Sequence, residues 1–317
     1  MNARAVASRI GRMTGQALLT ISVVVILVFL LVRITPGDPV KVILGTEYSP
    51  ERAAALAEQL NLDKSLLEQF LLYVGDLLQG DLGESTAQAG RSVADIIADA
   101  LPATAAIAIT GIVFGVIAGI LLGLLAGISR RRGVDLTVRT WAMITFSVPA
   151  FLVGLLLILV FSLTLGWFPA GGWPGEWPEN FAYLILPGIA LSTTMSTLVI
   201  RTVRQAAIDT QGQQFMEAAF TRGLPGRVMN AKHILPNSLL PVLTLIGISF
   251  GTLLTGAIIV ESVFGIPGLG SEMSQAVSRR DYPVIQGIAL ISAIVVVVSG
   301  YLVEIAYTFV DPRARTL

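Results

Sequence analysis

Six apolar stretches punctuate the chain: Gly15–Val32, Leu101–Ile128, Trp141–Leu165, Phe181–Val199, Leu239–Val260 and Val284–Val310. Only the last holds a charged residue, Glu304. About 20 consecutive apolar residues cross the hydrocarbon core of a bilayer, so the pattern predicts six transmembrane helices. The second and sixth stretches exceed one span, which tilt would accommodate. The expected fold is therefore an all-α, polytopic membrane protein. Its divisions are a short N-terminus with the first span (1–33), a polar loop (34–100), a five-helix core (101–310) and a tail (311–317). Within that first loop, Ser49–Leu78 reads as short amphipathic helices, with Pro50 near a start and Leu56, Leu60, Leu67 and Leu71 at helical spacing. Arg4, Arg9 and Arg12 ahead of the first stretch imitate a signal peptide. The stretch is too long for one, and Arg33-Ile34-Thr35-Pro36 is not a small-residue cleavage site, so the first span is expected to be retained.

The basic residues orient these spans. Arg4, Arg9 and Arg12, Arg130, Arg131, Arg132 and Arg139, Arg201, Arg204, Arg222, Arg227 and Lys232, and Arg313 and Arg315 all fall on one side. Lys and Arg are retained in the cytoplasm, which puts both termini there, in keeping with an even number of spans. The long loop 34–100 then faces outward and carries most of the acidic residues on that side.

Composition agrees and excludes several chemistries. The 317 residues are 54% hydrophobic and 13% charged, with mean hydropathy +0.77, outside the range of soluble domains. Without cysteine and with one histidine, His233, the chain offers no disulfide, no thiolate nucleophile and no multi-histidine metal cluster. No metal or nucleic-acid partner is expected.

Within the spans, Gly111, Gly115, Gly119, Gly123 and Gly127 recur every four residues and share one helix face. A face without side chains admits another backbone closely. It serves either fixed packing or a surface over which a neighbour slides. Pro149 and Pro187 are expected to interrupt the third and fourth spans, where breaks are tolerated only against protein or water. Ser192, at the head of a hydroxyl-rich run, and Thr244, Ser249, Thr252 and Thr255 either bond back to their own helices or line a polar path. Glu304 is expected to anchor at the inner interface. Glu261 sits at the outer end of its span, as an interface residue or as a gate or loop contact.

The loop 201–236 holds the most informative segment. Phe215, Met216, Ala219 and Phe220 form a narrow apolar stripe when read as a helix, which Gly223 and Pro225 end. Such a helix fits a groove on another protein; the alternative is an amphipathic helix lying on lipid. Glu217-Ala218-Ala219, then Gly223, then nine residues, then His233-Ile234-Leu235-Pro236 resembles the Glu-Ala-Ala signature of ABC importer permeases. The histidine variant is similar to the peptide and nickel branch. The resemblance extends to Ile34–Pro39, Ser147–Phe151, Glu261–Gly270, Asp281–Gly287 and Asp311–Arg313, in the pattern of the first (B-type) of that branch's two permeases.

The resemblance implies a type I ABC importer permease fold and a half-transporter of the bacterial inner membrane. A homologous second permease would complete the pore, and two ABC ATPases, or one fused ATPase, would dock on residues 215–220 and Gly223. An extracytoplasmic binding protein would deliver peptides; nickel chelates or glutathione are the alternatives within the branch. The chain has no Gly-x-x-x-x-Gly-Lys-Ser/Thr loop, so ATP and Mg belong to the partner ATPases and the subunit is not itself an enzyme. A stand-alone secondary transporter would want ionisable groups at mid-membrane and an internal repeat, and neither is visible.

Overall fold

A computed structural model describes residues 3–34, 40, 49–59, 61, 63–129 and 131–310. The Thr35–Pro39 part of the first family-like motif, Leu60 and the tail from Asp311 lie outside these residues, as do the side chains of Leu56, Thr252, Thr255 and Glu304. Among the described residues the chain is helical, with one isolated bridge between Glu84 and Ser92.

The helices are α1 (Ala3–Ile34), α2 (Pro50–Gln59), α3 (Leu66–Leu78), α4 (Val93–Ile128), α5 (Arg132–Ser147), α6 (Ala150–Leu157, continued by a π-helical stretch Ile158–Thr164), α7 (Asn180–Gln211), α8 (Gln214–Thr221), α9 (Gly226–Met229, continued by a π-helical turn Asn230–Ile234), α10 (Leu235–Phe264), α11 (Leu269–Arg279) and α12 (Tyr282–Val310). Four of them, α1, α4, α7 and α12, are long and apolar enough to cross a membrane alone, and the bent pair α5–α6 makes a fifth. The 30-residue α10 carries the remaining apolar stretch. Each of the six expected spans thus has a helix, or a broken helix, in its place.

The ends differ from the apolar boundaries because helix outlasts hydrophobicity. Ser92 caps α4 by accepting from the Asp95 amide at 3.0 Å, so the helix starts well before the apolar run at Leu101. The helix α7 runs on through Arg201, Arg204 and Gln205 to Gln211, and most of the expected polar loop is consequently helical. Pro149 does break its span: α5 and α6 meet at 99° around Val148 and Pro149. Pro187 does not; it is buried inside an unbroken α7. Thr110 of α4 packs there against the bare Gly188, and the surrounding protein holds the turn that lacks one hydrogen bond.

The centre of the molecule is a bundle of α4, α7 and α10. Ile107, Leu186, Leu191, Ala257 and Val260 belong to its buried cluster, with α6 against one side. Seen from that core, α12 lies behind α10, where Gly247 meets Val303, and touches α4, where Gly287 meets Val93. The helix α1 is peripheral and joins the bundle through α12, for instance by the Thr14–Tyr301 hydroxyl pair at 2.9 Å. At the arginine-rich end, Arg204 of α7 grips Asp135 of α5, with Nη2 2.8 Å from Oδ2. At the opposite end, Trp173, Trp177 and Phe181 form a chain of edge-on rings. These two ends are referred to below as the basic end and the tryptophan end.

Candidate functional site

The helix α8 follows α7 after a two-residue break at the basic end. Its apolar stripe divides in two. Met216 and Ala219 are buried, 4% and 6% exposed, and Met216 packs with Ala207 of α7 and Ile234, with Leu124 and Ile128 of α4 adjoining. Phe215 and Phe220 face outward, 44% and 69% exposed, and Glu217 and Ala218 are exposed beside them. Phe215 retains one neighbour, the ring of His233 at 5.9 Å. Gly223 closes the element at φ +73°, a left-handed conformation that suits glycine. An aromatic pair left on a short helix, whose other face is locked into the spans, has the anatomy of an interface anchor.

The helices α4 and α7, on which Met216 of α8 packs, meet along a glycine seam. Gly111, Gly115, Gly119, Gly123 and Gly127 face Leu191, Met195, Val199, Val203 and Ala207 in turn. Both series advance by four residues in the same direction, so the two helices run parallel and in fixed register. A Cβ on Gly115 would stand 2.7 Å from Cβ of Met195, one on Gly123 2.9 Å from the Ile200 carbonyl, and one on Gly127 2.8 Å from Cβ of Ala207. At Gly119 it would fall inside the Val199 side chain. The glycine face is filled by α7 along its whole length.

At the tryptophan end, Glu261 is fully buried. Its carboxylate accepts from the Thr104 hydroxyl of α4 at 2.7 Å, and from the amides of Gly270 and Ser271 at 2.8 and 3.1 Å. Thr104 in turn accepts from the Leu269 amide at 2.8 Å. A carboxylate at the N-terminus of α11 satisfies amides that no helical partner reaches, and the helix dipole favours its charge. Gly268 leaves the room, since a Cβ there would collide with the carboxylate itself. Asp281, in the turn from α11 to α12, works similarly. It is 2% exposed and accepts from the Ser85 hydroxyl, the Thr86 hydroxyl and the amides of Thr86 and Ala87. Two buried acids thus bind the surface segments of this end to the spans.

The hydroxyl-bearing candidates are scattered. Ser192 is buried and donates to the Ile189 carbonyl of its own helix at 2.7 Å; Ser249 is buried, and Thr244 is exposed on α10. A cavity of about 580 Å³ opens between α5 and α7. Arg139, Arg201 and Arg204 line it together with Ser147 and Thr197, and no carboxylate does. Sequence reasoning assigned those arginines to loops, and it missed Thr104 and Gly268, whose roles depend on contacts 157 and several residues distant. Only the glycines between Glu261 and Gly270 hinted that a backbone closes on a side chain there. Among the described residues no three His, Asp or Glu side chains gather as a metal site.

The comparisons with known proteins agree with this architecture. Residues 119–316 match the family described as binding-protein-dependent transport system inner membrane component. Residues 8–108 match the N-terminal family of the same membrane components. A di/tripeptide transport system permease protein of Pseudomonas aeruginosa is 36% identical, over 97% of this chain and 98% of that protein. A glutathione transport system permease protein of Escherichia coli is 37% identical, over 93% and 95%. In fold, the chain resembles an inward-facing methionine ABC transporter structure, with a TM-score of 0.58, 18% identity, and coverage of 68% of this chain and 96% of the other. An amino acid ABC transporter crystallised with histidines gives 0.51 and 20% identity, over 68% and 94%.

Proposed function

The chain belongs to the binding-protein-dependent transport system inner membrane components, and from that premise we propose that it is the B-type permease half of an ATP-driven peptide importer. It is a multi-pass inner-membrane subunit without an enzymatic activity of its own. A homologous permease completes the pore, an extracytoplasmic protein supplies short peptides, and ATPases bind at the basic end, which is the cytoplasmic end. Both termini lie on that side. The 36–37% identity to di/tripeptide and glutathione permeases over nearly the whole chain supports a peptide-like substrate; glutathione is itself a tripeptide.

The observation that carries the coupling assignment is the split of α8. Phe215 and Phe220, flanked by Glu217 and Ala218, present an exposed knob to an ATPase groove, while Met216 and Ala219 transmit its displacement to α4 and α7. Gly223 lets the chain turn back toward α9. ATP-driven approach of the two ATPases moves the knobs, and the parallel α4–α7 pair tilts as one body so that the pore alternates its access. The break at Pro149 is where α5 and α6 accommodate the tilt. The path runs beside Thr244, Ser249, Thr252 and Thr255 of α10, whereas we assign Glu261 and Ser192 to the scaffold.

The test is uptake of labelled dipeptides, tripeptides, glutathione and a nickel chelate in a strain lacking only this gene, complemented by variants. Wild type is expected to restore peptide uptake. Phe220→Ser is expected to lower uptake and ATPase co-purification at least tenfold with unchanged membrane yield, whereas Met216→Ser lowers yield itself. Normal ATPase retention by Phe215→Ser/Phe220→Ser would refute the docking assignment, and restoration of nickel uptake alone would refute the substrate class.

A further inference from the structure

Transport as described makes no use of α3, in the long segment between α1 and α4. Its N-terminus is well defined: Ser65 and Glu68 form a reciprocal capping box. One face is held against the top of α1. Phe29 meets the Phe70 ring edge-on at 5.1 Å and the Tyr73 ring at 5.7 Å. The Arg33 guanidinium stacks on Phe29 at 3.5 Å and donates to Gln69 Oε1 at 3.0 Å. These contacts fix the height of α3. The apolar stretch of α1 ends at Val32, just before Arg33, and α12 begins at Tyr282, so α3 rests where hydrocarbon gives way to headgroups.

Beside the held face, Leu67, Leu71 and Leu78 follow one another at spacings of four and seven, a single helical stripe. They are 67%, 61% and 84% exposed. Glu68 and Asp76 occupy the far flank and are also exposed. The stripe continues an apolar surface already committed to lipid, because Val23, Ile26 and Leu27 of α1, one to two turns below, are exposed as well. A helix of 13 residues with Leu67, Leu71 and Leu78 along one exposed stripe and Glu68 and Asp76 on another flank is built to lie in the plane of a bilayer surface.

We propose that α3 is an interfacial helix whose Leu67, Leu71 and Leu78 dip into the acyl boundary of the leaflet at the tryptophan end, the occupant of the stripe being phospholipid. It acts as a float, holding the outer end of α1 through Phe29 and Arg33. The absence of cysteine from the chain makes the test direct. Single Leu67→Cys, Leu71→Cys, Leu78→Cys and Asp76→Cys variants carry a nitroxide label in the complete transporter, in phospholipid nanodiscs, and power saturation compares dissolved oxygen with a water-soluble nickel chelate. The ratio of oxygen to nickel accessibility is expected to be at least threefold higher at the three leucine positions than at 76. Equal ratios would place the stripe in water, and exclusion of both reagents at the leucine positions would place a protein partner on it; either overturns the proposal. If a label at 67 or 71 lowers yield, position 78 at the end of the helix gives the same reading without strain.

Discussion

Adding one methyl group to Gly119 separates the packing account of the glycine face from its rivals. The new carbon falls where Val199 already stands, and the Ser196 carbonyl lies 3.1 Å away on the other side. Both helices are clamped above and below by the same seam, so the collision is not relieved by a side-chain rotation. Overpacking by one carbon costs roughly 1–3 kcal/mol. Alanine recovers roughly 0.5–1 kcal/mol of helix propensity relative to glycine, which leaves a net loss of up to about 2.5 kcal/mol. Gly15→Ala on α1 is the control, because nothing lies within 4 Å of its added carbon, and it is expected to be neutral or mildly stabilising. The measurement is SDS-driven unfolding of the purified protein in mixed micelles, followed by tryptophan fluorescence. Trimming the partner completes the cycle: Val199→Gly, which removes the Cβ that the new carbon meets first, should show a favourable coupling of about 1–2 kcal/mol in the Gly119→Ala background. Gly119→Ala as stable as Gly15→Ala, or strictly additive effects in the double variant, would refute the seam. The larger change Gly119→Leu should lower folded yield and uptake together. Loss of uptake at normal yield would mean instead that α7 slides over this face.

The two buried acids give further tests. Glu261→Ala strands the Gly270 and Ser271 amides and the Thr104 hydroxyl away from water; each orphaned group costs roughly 1–3 kcal/mol, so proteolysis between residues 265 and 280 should accelerate at least tenfold. Gly268→Ala should have the same effect by expelling the carboxylate, and rates like those of wild type in both variants would count against the latch. Asp281→Asn keeps the size but loses an acceptor facing Ser85, Thr86 and Ala87. Hydrogen exchange of the amides at 86 and 87 should rise by at least tenfold while those in the middle of α7 stay protected, and unchanged exchange at both sites would show that Asp281 does not hold the segment.

The sequence by itself determined the class of protein, because transfer of apolar side chains out of water depends on composition over about 20 residues and needs no tertiary contact. It also marked the chemistry of α8: Glu217-Ala218-Ala219, Gly223 and Leu235-Pro236 are a local pattern. The glycine repeat likewise announced a bare helix face. What it did not contain was the identity of the facing helix. That Gly111–Gly127 meets Leu191–Ala207 in parallel register was decided only by tertiary packing, since close approach satisfies any smooth neighbour until the whole bundle selects one. The same limit split the α8 stripe. Met216, Ala219, Phe215 and Phe220 read alike as apolar positions, and only the placement of Ala207 and Ile234 buried two and left two outside. Glu261 shows the limit most plainly. A carboxylate near a span end costs too much to bury alone, so the sequence left it between an interface residue and a gate or loop contact. Folding brought Thr104 and the first amides of α11 around it, and with the charge solvated by protein, the interior became its place.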